Sequence, residues 1–464
     1  MIDILTVRQA LIHKYIEPTK KTRSNFIGVE IELPIVNLDR KAVDFEQIQR
    51  ITAEFMDYFQ FAAMGRDDTG FVYAAQNEET GDILSYDCSY NNIEFSFGKE
   101  KDLNRIQDRF SAYYRFMENK FSEIHYVMTG MGVNPYRAYN NNVPIENGRY
   151  RMLFHHLGTY EAYRNLPMYF HSYPTYGTFS SASQVQLDVS YEKLIQTIQT
   201  FNKLEPITGL LFSNSVFPEE SEELLCVRDL FWENSTHGIN PHNIGMFDCQ
   251  LETIDDLLAY IESCSMYCVE RGDKYINFSP IPVADYFSAD EIKGEYYQDG
   301  CYHTIAFQPD LSDLAYLRTF KFEDLTFRGT IEHRSCCTQP ISDVMTVAAY
   351  HLGLNMELEA LTQLLDTDSV LYHHGYTASE LRKLLIRRNL PAFIDEDQLY
   401  KLTEQVLALA ESGLKKRGLN EEQFLAPLFQ RAADRSNPAK HALSRLNAGD
   451  SIESVITEYS KLMV

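Results

Sequence analysis

Acidic residues spaced two apart are the feature of this sequence most able to do chemistry. Glu30 and Glu32 stand in the segment Gly28-Val-Glu-Ile-Glu-Leu-Pro34. On a β-strand, residues two apart point to the same face, so both carboxylates would share one face while the apolar residues between them share the other. Two like charges side by side repel each other unless a cation lies between them. The segment therefore indicates a cation site on one face of a strand.

The same alternation of polar and apolar residues recurs in three further segments. Polar residues would share one strand face in the sets Asn92, Glu94 and Ser96; Gln184, Gln186 and Asp188; and Glu332 and Arg334. An antiparallel sheet with one solvated face gives this pattern routinely, and that interpretation stays open for any single strand. These positions carry almost no Lys, which favours a covered face whose acids need a cation. Ligands that are all oxygen suit Mg²⁺ or Mn²⁺ better than zinc.

Strands and long helices must position these side chains. Segments rich in β-branched and aromatic residues predict strands at 26–36, 85–98, 126–134, 181–190 and 325–336. Apolar residues recurring every three or four positions predict helices at 99–124, 191–204 and 341–364, and the chain reads as helical from 379 to 459. The Tyr-, Asp- and Pro-rich segment 255–310 is expected to be a loop or a lid over a site. The class is therefore α+β with a helical C-terminal region.

Composition and charge exclude several classes of function. The chain has 464 residues, with 42 Lys and Arg against 66 Asp and Glu, so its net charge is −24. This surplus of acid argues against nucleic acid or an anionic membrane as the main partner. No strongly apolar window of membrane-spanning length is free of charge, so no membrane span is expected. Eight scattered cysteines without a Cys-x-x-Cys pair, and an N-terminus without a signal-peptide pattern, predict reduced thiols and a cytoplasmic location.

The common nucleotide-binding and hydrolytic motifs are missing from the sequence. Neither Gly-x-x-x-x-Gly-Lys-Ser/Thr nor a Gly-x-Gly-x-x-Gly between a strand and a helix occurs, and there is no His-Glu-x-x-His or Gly-x-Ser-x-Gly. If a nucleotide binds, the sequence predicts that metal-bound carboxylates hold it rather than a glycine-rich loop.

Together these segments resemble the glutamate–cysteine ligase superfamily, most closely its plant and proteobacterial type. The motifs occur in the family's order between about residue 26 and residue 356: Gly28-Val-Glu30-Ile-Glu32, residues 87–94, Met128-Thr-Gly-Met-Gly-Val-Asn-Pro135, Asn147-Gly-Arg-Tyr150, Gln184-Val-Gln-Leu-Asp188, Arg228-Asp-Leu-Phe-Trp232 and Glu332-His-Arg334. The resemblance implies a mostly antiparallel, curved sheet of the glutamine synthetase and guanidino kinase type, covered by helices. It also implies a catalytic ligase domain at 1–377 and a helical region at 378–464 that pack as one structural unit.

The resemblance also implies a role for each matching residue. It assigns magnesium ligation to Glu30, Glu32, Asp87, Glu94 and Glu332. Arg334 matches the catalytic arginine that contacts the transferred phosphoryl group, and Glu332 is expected to be catalytic with it. Arg228 is expected to grip the carboxylate of an amino-acid substrate, with Gln184, Gln186 and Asn92 as further substrate-binding residues. Arg149, like Arg334, is expected to bind the nucleotide.

The implied reaction joins the γ-carboxylate of L-glutamate to the amine of L-cysteine through a γ-glutamyl phosphate, with ATP as co-substrate and Mg²⁺ or Mn²⁺ as cofactor. The loops at 88–92 and 335–338 depart from the family pattern, so a related ligase with a different amine acceptor stays open. A non-catalytic protein that binds nucleotide and metal on the same scaffold is the second alternative. The expected partners are small molecules, and the expected assembly is a monomer or a homodimer.

Overall fold

The computed structural model describes residues 2–462. Their strands are β1 (Ile27–Asn37), β2 (Ala62–Arg66), β3 (Val72–Gln76), β4 (Ile83–Ser85), β5 (Asn92–Glu100), β6 (Tyr126–Met128), β7 (Ser183–Asp188), β8 (Ile244–Gly245), β9 (Ser265–Arg271), β10 (Lys274–Pro282), β11 (Ile292–Gln298), β12 (Cys301–Phe307), β13 (Phe320–Lys321), β14 (Glu323–Leu325) and β15 (Thr330–His333). Their helices are α1 (Ile4–Leu11), α2 (Phe45–Phe59), α3 (Leu103–Ser122), α4 (Gly148–Gly158), α5 (Leu194–Phe212), α6 (Val227–Glu233), α7 (Ile254–Ser263), α8 (Val283–Ser288), α9 (Thr346–Met356), α10 (Leu358–Asp366), α11 (Ala378–Leu385), α12 (Glu396–Arg417), α13 (Ala426–Ala433), α14 (Pro438–Asn447) and α15 (Ile452–Tyr459).

A large antiparallel sheet organises the fold. Its order is β14-β15-β7-β1-β5-β4-β3-β2, and β6 pairs with the second half of β1. The strand register places Glu32 opposite Glu94 and Glu332 opposite Gln186. Because β5, β1, β7 and β15 are neighbours, the polar positions predicted on separate segments share one face of one sheet.

Helices cover the opposite, apolar face of the sheet. The ring of Phe95 on β5 packs against Phe55 of α2 and Phe110 of α3, at centroid distances of 6.3 and 6.1 Å. Behind β15, His333 packs against Phe201 of α5 and His351 of α9, each at 4.5 Å. This burial of aromatic and aliphatic surface is the main stabilising term of the fold.

The predicted helices form, with different limits. α3 buries the predicted stripe from Leu103 to Phe121. α5 continues to Phe212 with Pro206 inside it, although proline usually ends a helix, because the surrounding residues are almost wholly buried. The helix predicted at 341–364 divides into α9 and α10 at Glu357.

The expectation of a loop at residues 255–310 is wrong. This part of the chain contains α7 and α8 and a four-stranded antiparallel sheet of order β12-β11-β10-β9. The strands have seven to nine residues, but they mix polar residues with tyrosine, so their sequence does not show a single apolar face. β9 packs its buried residues, such as Met266 and Val269, into a second apolar core with α7 and α8.

Three predicted strands are shorter than expected. Residues 85–98 divide into β4 and β5 with a turn between them, and β6 ends at Met128. Residues 325–336 are not one strand, because a turn at Gly329, with φ +74°, makes β14 and β15 a hairpin. Glycine accepts this left-handed conformation without steric cost.

The C-terminal helices pack directly on the sheet-covering helices. α12 crosses α9 with their backbones in contact at Gly353 and Gly413: a Cβ atom added to Gly353 would lie 2.2 Å from the carbonyl oxygen of Ala410. α11 packs against α5, where Gly209 leaves room for Ile386 and Arg382. None of the helices within residues 2–462 combines the length and apolarity needed to cross a membrane.

Candidate active site

The polar face of the large sheet forms one side of a cavity of about 470 Å³. Eight of the predicted site residues line it: Glu30, Glu32, Asp87, Glu94, Arg149, Gln184, Arg228 and Arg334. Gln186 and Glu332 join this group through hydrogen bonds. We call Glu30, Glu32, Asp87, Glu94 and Glu332, together with Arg334, the acid wall.

Side-chain amides fix the carboxylates of the acid wall. Gln184 Nε2 donates to Glu32 Oε1 at 3.0 Å, and the backbone N–H of Ala182 donates to Glu32 Oε2 at 2.7 Å. Gln186 Nε2 bridges Glu30 Oε1 at 3.1 Å and Glu332 Oε1 at 2.8 Å. Glutamines on β7 therefore hold acids of β1 and β15 at set positions, as cross-strand neighbours do.

Asp87 reaches the cavity from the turn between β4 and β5. The next residue, Cys88, has a φ of +61°, which is uncommon for a residue other than glycine. The backbone N–H of Ser89 donates to the carbonyl of Asp87 at 2.6 Å, so the turn is tight. The predicted strand is interrupted here because this conformation turns the Asp87 carboxylate towards the acids of β1 and β5.

Burial and mutual repulsion raise the pKa values of these acids. Burial, followed by the charges of Asp87 and Glu94, raises the pKa of Glu32 to about 8. Burial and the charge of Asp87 raise the pKa of Glu94 to about 7. For Glu30, burial and the charges of Glu332 and Glu94 raise the pKa well above its usual value. A cation among them would remove this cost of ionisation.

The chemistry of the donors fits a hard divalent cation, because the acid wall offers carboxylate oxygens without thiolate or imidazole. Its geometry is less complete. Within residues 2–462, no group of three or more acidic, histidine or cysteine side chains is arranged to hold a metal ion. The carboxylates instead accept hydrogen bonds from amide N–H groups and from Arg334. Metal coordination would require them to reorient, with each carboxylate oxygen using one lone pair for the amide N–H and another for the metal.

Arg334 lies at the end of β15 beside two acids. Its Nη1 donates to Glu332 Oε2 at 2.5 Å. Asp324, opposite Glu332 in the β14–β15 hairpin, is half-buried. Loss of hydration, together with the charge of Glu332, outweighs Arg334 and raises the pKa of Asp324 to about 7. Sequence reasoning missed Asp324 because it took residues 325–336 as one strand. The Arg328-Gly329 pair was the turn signal.

Arg228 is held by the backbone that follows Arg334. It lies in the first turn of α6, is 7% exposed, and donates from Nη1 to the carbonyl oxygen of Cys336 at 3.1 Å. Its neighbour Asp229 accepts two hydrogen bonds from Arg382, at 2.7 and 3.1 Å. Arg228 and the backbone that follows Arg334 are therefore parts of one hydrogen-bonded unit.

Arg382 of α11 completes that unit from the C-terminal region. It is 2% exposed and also forms an ion pair with Glu205 of α5. Glu205 accepts a hydrogen bond from Ser335 Oγ at 3.0 Å, and Ser335 directly follows Arg334 in the chain. Nothing in the sequence pointed to Arg382, because it lies 153 residues from Asp229 and 177 residues from Glu205.

The structure does not bring Asn92 to the cavity. Asn92 is fully buried, its Nδ2 donates to the carbonyl oxygen of Ser180 at 3.1 Å, and its Oδ1 accepts from Ser181 Oγ at 3.2 Å. As the first residue of β5, it closes the preceding turn against the chain before β7. The expectation that Asn92 contacts a substrate is therefore corrected to a structural role.

A second part of the cavity lining is aromatic. It consists of five residues, which we call the aromatic wall: Tyr176, Trp232, His237, Tyr267 and Phe320. Trp232 and Phe320 stack at 4.6 Å, and the His237 ring lies 4.7 Å from Phe320. Trp232 lies one helical turn after Arg228 on α6, so this helix connects the aromatic wall to the substrate arginine.

Solved structures show what class of fold surrounds this cavity. The chain matches a bifunctional glutathione synthetase from Pasteurella multocida with a TM-score of 0.51 and 9% identity, over 98% of this chain and 53% of that protein. At that identity the match shows the fold alone. It agrees with the predicted α+β class of mostly antiparallel sheet covered by helices.

Sequence relatives agree with the resemblance carried by the motifs. The chain is 25% identical over 287 residues to the chloroplastic glutamate–cysteine ligase of Solanum lycopersicum and 26% identical over 287 residues to that of Nicotiana tabacum. Each match covers 59% of this chain and 51% of the relative, so the chain spans about half the length of the curated relatives it matches. No protein-family model matches. The predicted resemblance to the glutamate–cysteine ligase superfamily is confirmed.

Proposed function

We propose that the chain is an ATP-dependent carboxylate–amine ligase that joins the γ-carboxylate of L-glutamate to the amine of L-cysteine. The observation that carries this proposal is the meeting of five acids with Arg334 and Arg228 on one cavity. Similarity to glutamate–cysteine ligases supports the same substrates. The cytoplasmic location and the monomeric or homodimeric state stay predictions.

A carboxylate is a poor electrophile and must be activated before an amine can attack it. In the proposed first step, a γ-carboxylate oxygen of glutamate attacks the γ-phosphorus of ATP and ADP leaves. In the second step, the amine nitrogen attacks the acyl carbon of the γ-glutamyl phosphate, phosphate leaves, and the nitrogen loses its extra proton. No covalent bond to the protein is needed in either step.

Each residue of the cavity would act on charge or position. Arg334 would neutralise charge on the transferred phosphoryl group, and Arg228 would hold the α-carboxylate of glutamate. The Oε1 atom of Gln184 is buried and has no hydrogen-bond partner, so it suits an ammonium group of the substrate. Arg149 lies beside Asp87 and would contact the nucleotide.

We propose that Glu30, Glu32, Asp87, Glu94 and Glu332 hold Mg²⁺, or Mn²⁺ in its place. When bound, the cation would neutralise phosphate oxygens and the attacking carboxylate. The raised pKa values of Glu30, Glu32 and Glu94 support this role, because a buried group of acids without a cation is costly.

A second candidate function is a ligase of the same reaction type with another amine acceptor. Two observations favour keeping it: the loop at 88–92 departs from the family pattern, and the aromatic wall extends the cavity beyond the acids.

The test is an assay with Mg·ATP, L-glutamate and a panel of amines, in which ADP and the amide product are measured together. Formation of ADP and γ-glutamylcysteine in equal amounts would support the first function. ADP formation with another amine but not with cysteine would support the second. No ADP with glutamate and any amine would reject both.

A further inference from the structure

The aromatic wall contains a polar atom that the proposed reaction does not use. His237 is 4% exposed, borders the cavity, and its Nε2 has no hydrogen-bond partner. Buried polar atoms in folded proteins are nearly always paired, so an orphan next to a cavity indicates a ligand or a water molecule there. The rings of Trp232, Phe320 and Tyr267 surround the imidazole, at centroid distances of 5.6, 4.7 and 5.2 Å.

The imidazole of His237 is uncharged under ordinary conditions. Burial lowers its pKa to about 3. A neutral imidazole can donate or accept one hydrogen bond, but it cannot balance an ionic side chain. A charged side chain placed against His237 would lose its hydration without gaining a counter-ion from the imidazole, whereas a thiol, hydroxyl or alkyl group would lose little.

Two cations lie at the same end of the cavity, because the charges of Arg149 and Arg318 both act on Tyr267 and Cys268. Arg149 is assigned above to the nucleotide, which leaves Arg318. Arg318, in the loop before β13, lines the cavity together with Phe320. Its charge acts on Tyr267 and on the thiol of Cys268. No carboxylate of residues 2–462 forms an ion pair with it. The side chain of Arg318 is in hydrogen-bond contact with the thiol of Cys268. An arginine beside a cavity that has no carboxylate partner suits a carboxylate, which it can bind through two parallel hydrogen bonds.

The aromatic wall lies next to the two arginines that are proposed to bind glutamate and the transferred phosphoryl group. Trp232 follows Arg228 by one turn of α6, and the guanidinium carbon of Arg334 lies 5.8 Å from the centre of the Phe320 ring. This end of the cavity therefore adjoins both the arginine proposed for glutamate and the arginine proposed for the phosphoryl group. The second substrate of the ligase must approach the acyl carbon from such a place.

We propose that the aromatic wall is the acceptor subsite and that it selects an α-amino acid with an uncharged side chain. Arg318 binds the α-carboxylate of the acceptor, and His237 makes a hydrogen bond with a thiol or hydroxyl on its side chain. This inference rests on the proposed ligase function, and it adds the substrate class and two specificity-determining residues.

The first experiment measures KM for each substrate with a set of matched acceptors in the full-length protein. The set contains L-cysteine, L-serine, L-2-aminobutyrate, L-aspartate, L-lysine and propylamine, which is 2-aminobutyrate without its carboxylate. The wild-type protein should use the three uncharged amino acids at least 10-fold better, by kcat/KM, than the two charged ones and propylamine. Equal use of charged acceptors would overturn the inference.

Two variants separate the proposed contacts. Arg318→Gln should raise KM for the amino-acid acceptors about 10- to 100-fold and remove their advantage over propylamine. His237→Phe should raise KM for L-cysteine and L-serine about 3- to 10-fold, with little change for L-2-aminobutyrate, which cannot make the hydrogen bond. Neither variant should change KM for glutamate or ATP more than twofold. A change confined to KM for ATP would instead place the adenine ring at this wall and overturn the inference.

The matched control is His156→Phe. His156 stacks on Tyr267 at 4.1 Å in the same cluster of rings, but it does not line the cavity. It should leave every KM within twofold. An effect on the acceptor KM equal to that of His237→Phe would show that packing, not a hydrogen bond to the substrate, is responsible, and would overturn the role of His237.

Direct binding separates failure of this inference from failure of the proposed function. L-2-Aminobutyrate is titrated calorimetrically into the wild-type protein and the Arg318→Gln variant, in the presence of Mg²⁺, a non-hydrolysable ATP analogue and glutamate. Binding to the wild type that weakens at least 10-fold in the variant, without turnover of any amine, would reject the ligase and retain the subsite. Equal binding to both proteins, or none to either, would overturn the subsite.

Discussion

The acid wall and the aromatic wall line one cavity and meet at Arg334 and Phe320, but the chain builds them differently. Most of the acid wall stands on β1, β5 and β15, whose register within one sheet fixes the spacing of Glu30, Glu94 and Glu332. The aromatic wall is assembled from five separate segments, including the short 3₁₀ helix Thr236–Ile239 and the two-residue strand β13.

The two ways of building the walls set different limits on which residues can be substituted in each. Relocating one carboxylate of the acid wall along its strand would require a one-residue shift of strand register. Such a shift turns all the side chains of that strand to the opposite face. A residue of the aromatic wall can change with only local adjustment, because each one belongs to a different short element. We expect the acid wall to define the reaction and the aromatic wall to define which acceptor is used.

Arg382 connects α6, which carries Trp232 of the aromatic wall, to the chain that follows Arg334 of the acid wall. It binds Asp229 beside Arg228 and Glu205 behind Ser335, with its guanidinium almost wholly buried. Arg382→Gln should lower the free energy of unfolding by about 3–5 kcal/mol, because it leaves buried carboxylates without their partner. Urea unfolding measures this loss. The neighbouring Lys383→Gln breaks only an exposed ion pair with Glu233 and should cost at most about 1 kcal/mol. Equal losses in both variants would contradict the proposed connection.

Glu332→Gln should lower the activity without changing the structure of the acid wall. The amide keeps the shape of the side chain but loses the charge beside Arg334, so the rate of ADP formation should fall about 100- to 1,000-fold, or about 3–4 kcal/mol. Asp188→Asn is the control on the same sheet, since Asp188 pairs with Arg23 at 3.6 Å and does not line the cavity. It should keep activity within about twofold. Near-normal turnover of Glu332→Gln would show that the acid wall is not catalytic.

Magnesium should stabilise the protein through the acid wall alone. At a concentration 100 times its dissociation constant, a ligand of the folded state adds about 2.7 kcal/mol to the free energy of unfolding. Calorimetry with Mg²⁺ and then with EDTA should show a higher unfolding temperature with the metal. The double variant Glu30→Gln with Glu32→Gln should lose this response, whereas His237→Phe should keep it. A magnesium response that survives in the double variant would place the cation elsewhere.

The aromatic wall should make the protein sensitive to acid. The folded-state pKa of His237, about 3, lies below its ordinary value of 6.5, so the unfolded chain binds more protons between these limits. Stability should therefore be greatest above about pH 6.5 and fall with falling pH, by about 2 kcal/mol at pH 5 for this residue. Urea unfolding at pH 8 and pH 5 should show a smaller difference in His237→Phe than in the wild type. The same difference in both proteins would mean that His237 is charged in the fold.

The sequence predicted the acid wall better than the aromatic wall for a physical reason. The alternation around Glu30, Gln184 and Glu332 is a local pattern, and strand geometry converts it directly into a shared face. The position of Asp87 was predicted only through the resemblance, because its turn replaces part of an expected strand. Asn92 satisfied the alternation but lies away from the cavity, since the turn before β5 uses its amide.

The rest depends on contacts between distant parts of the chain. Tyr267 lies on β9, whose first five residues are all buried and therefore show no alternation, and β13, which carries Phe320, has only two residues. The sequence predicts a loop or a lid for the whole segment 255–310. Arg382 had no signal at all, because a helix of ordinary composition does not show which of its residues meets a buried acid. Most of the helices and the large sheet follow from local patterns, whereas the acceptor side of the site requires the folded structure.

The contact between Gly353 and Gly413 has a consequence for how this chain can vary. The helix that carries Gly353 also carries His351, which packs against His333 on β15, next to Glu332. A side chain at either glycine would push α9 and α12 apart and displace α9 against β15, the strand that carries Glu332. The two positions are therefore constrained as a pair, although they lie far apart in the chain, and the backbone of Ala410 lies at the same crossing. A graft of C-terminal helices from another protein would need to bring a glycine to the same crossing point.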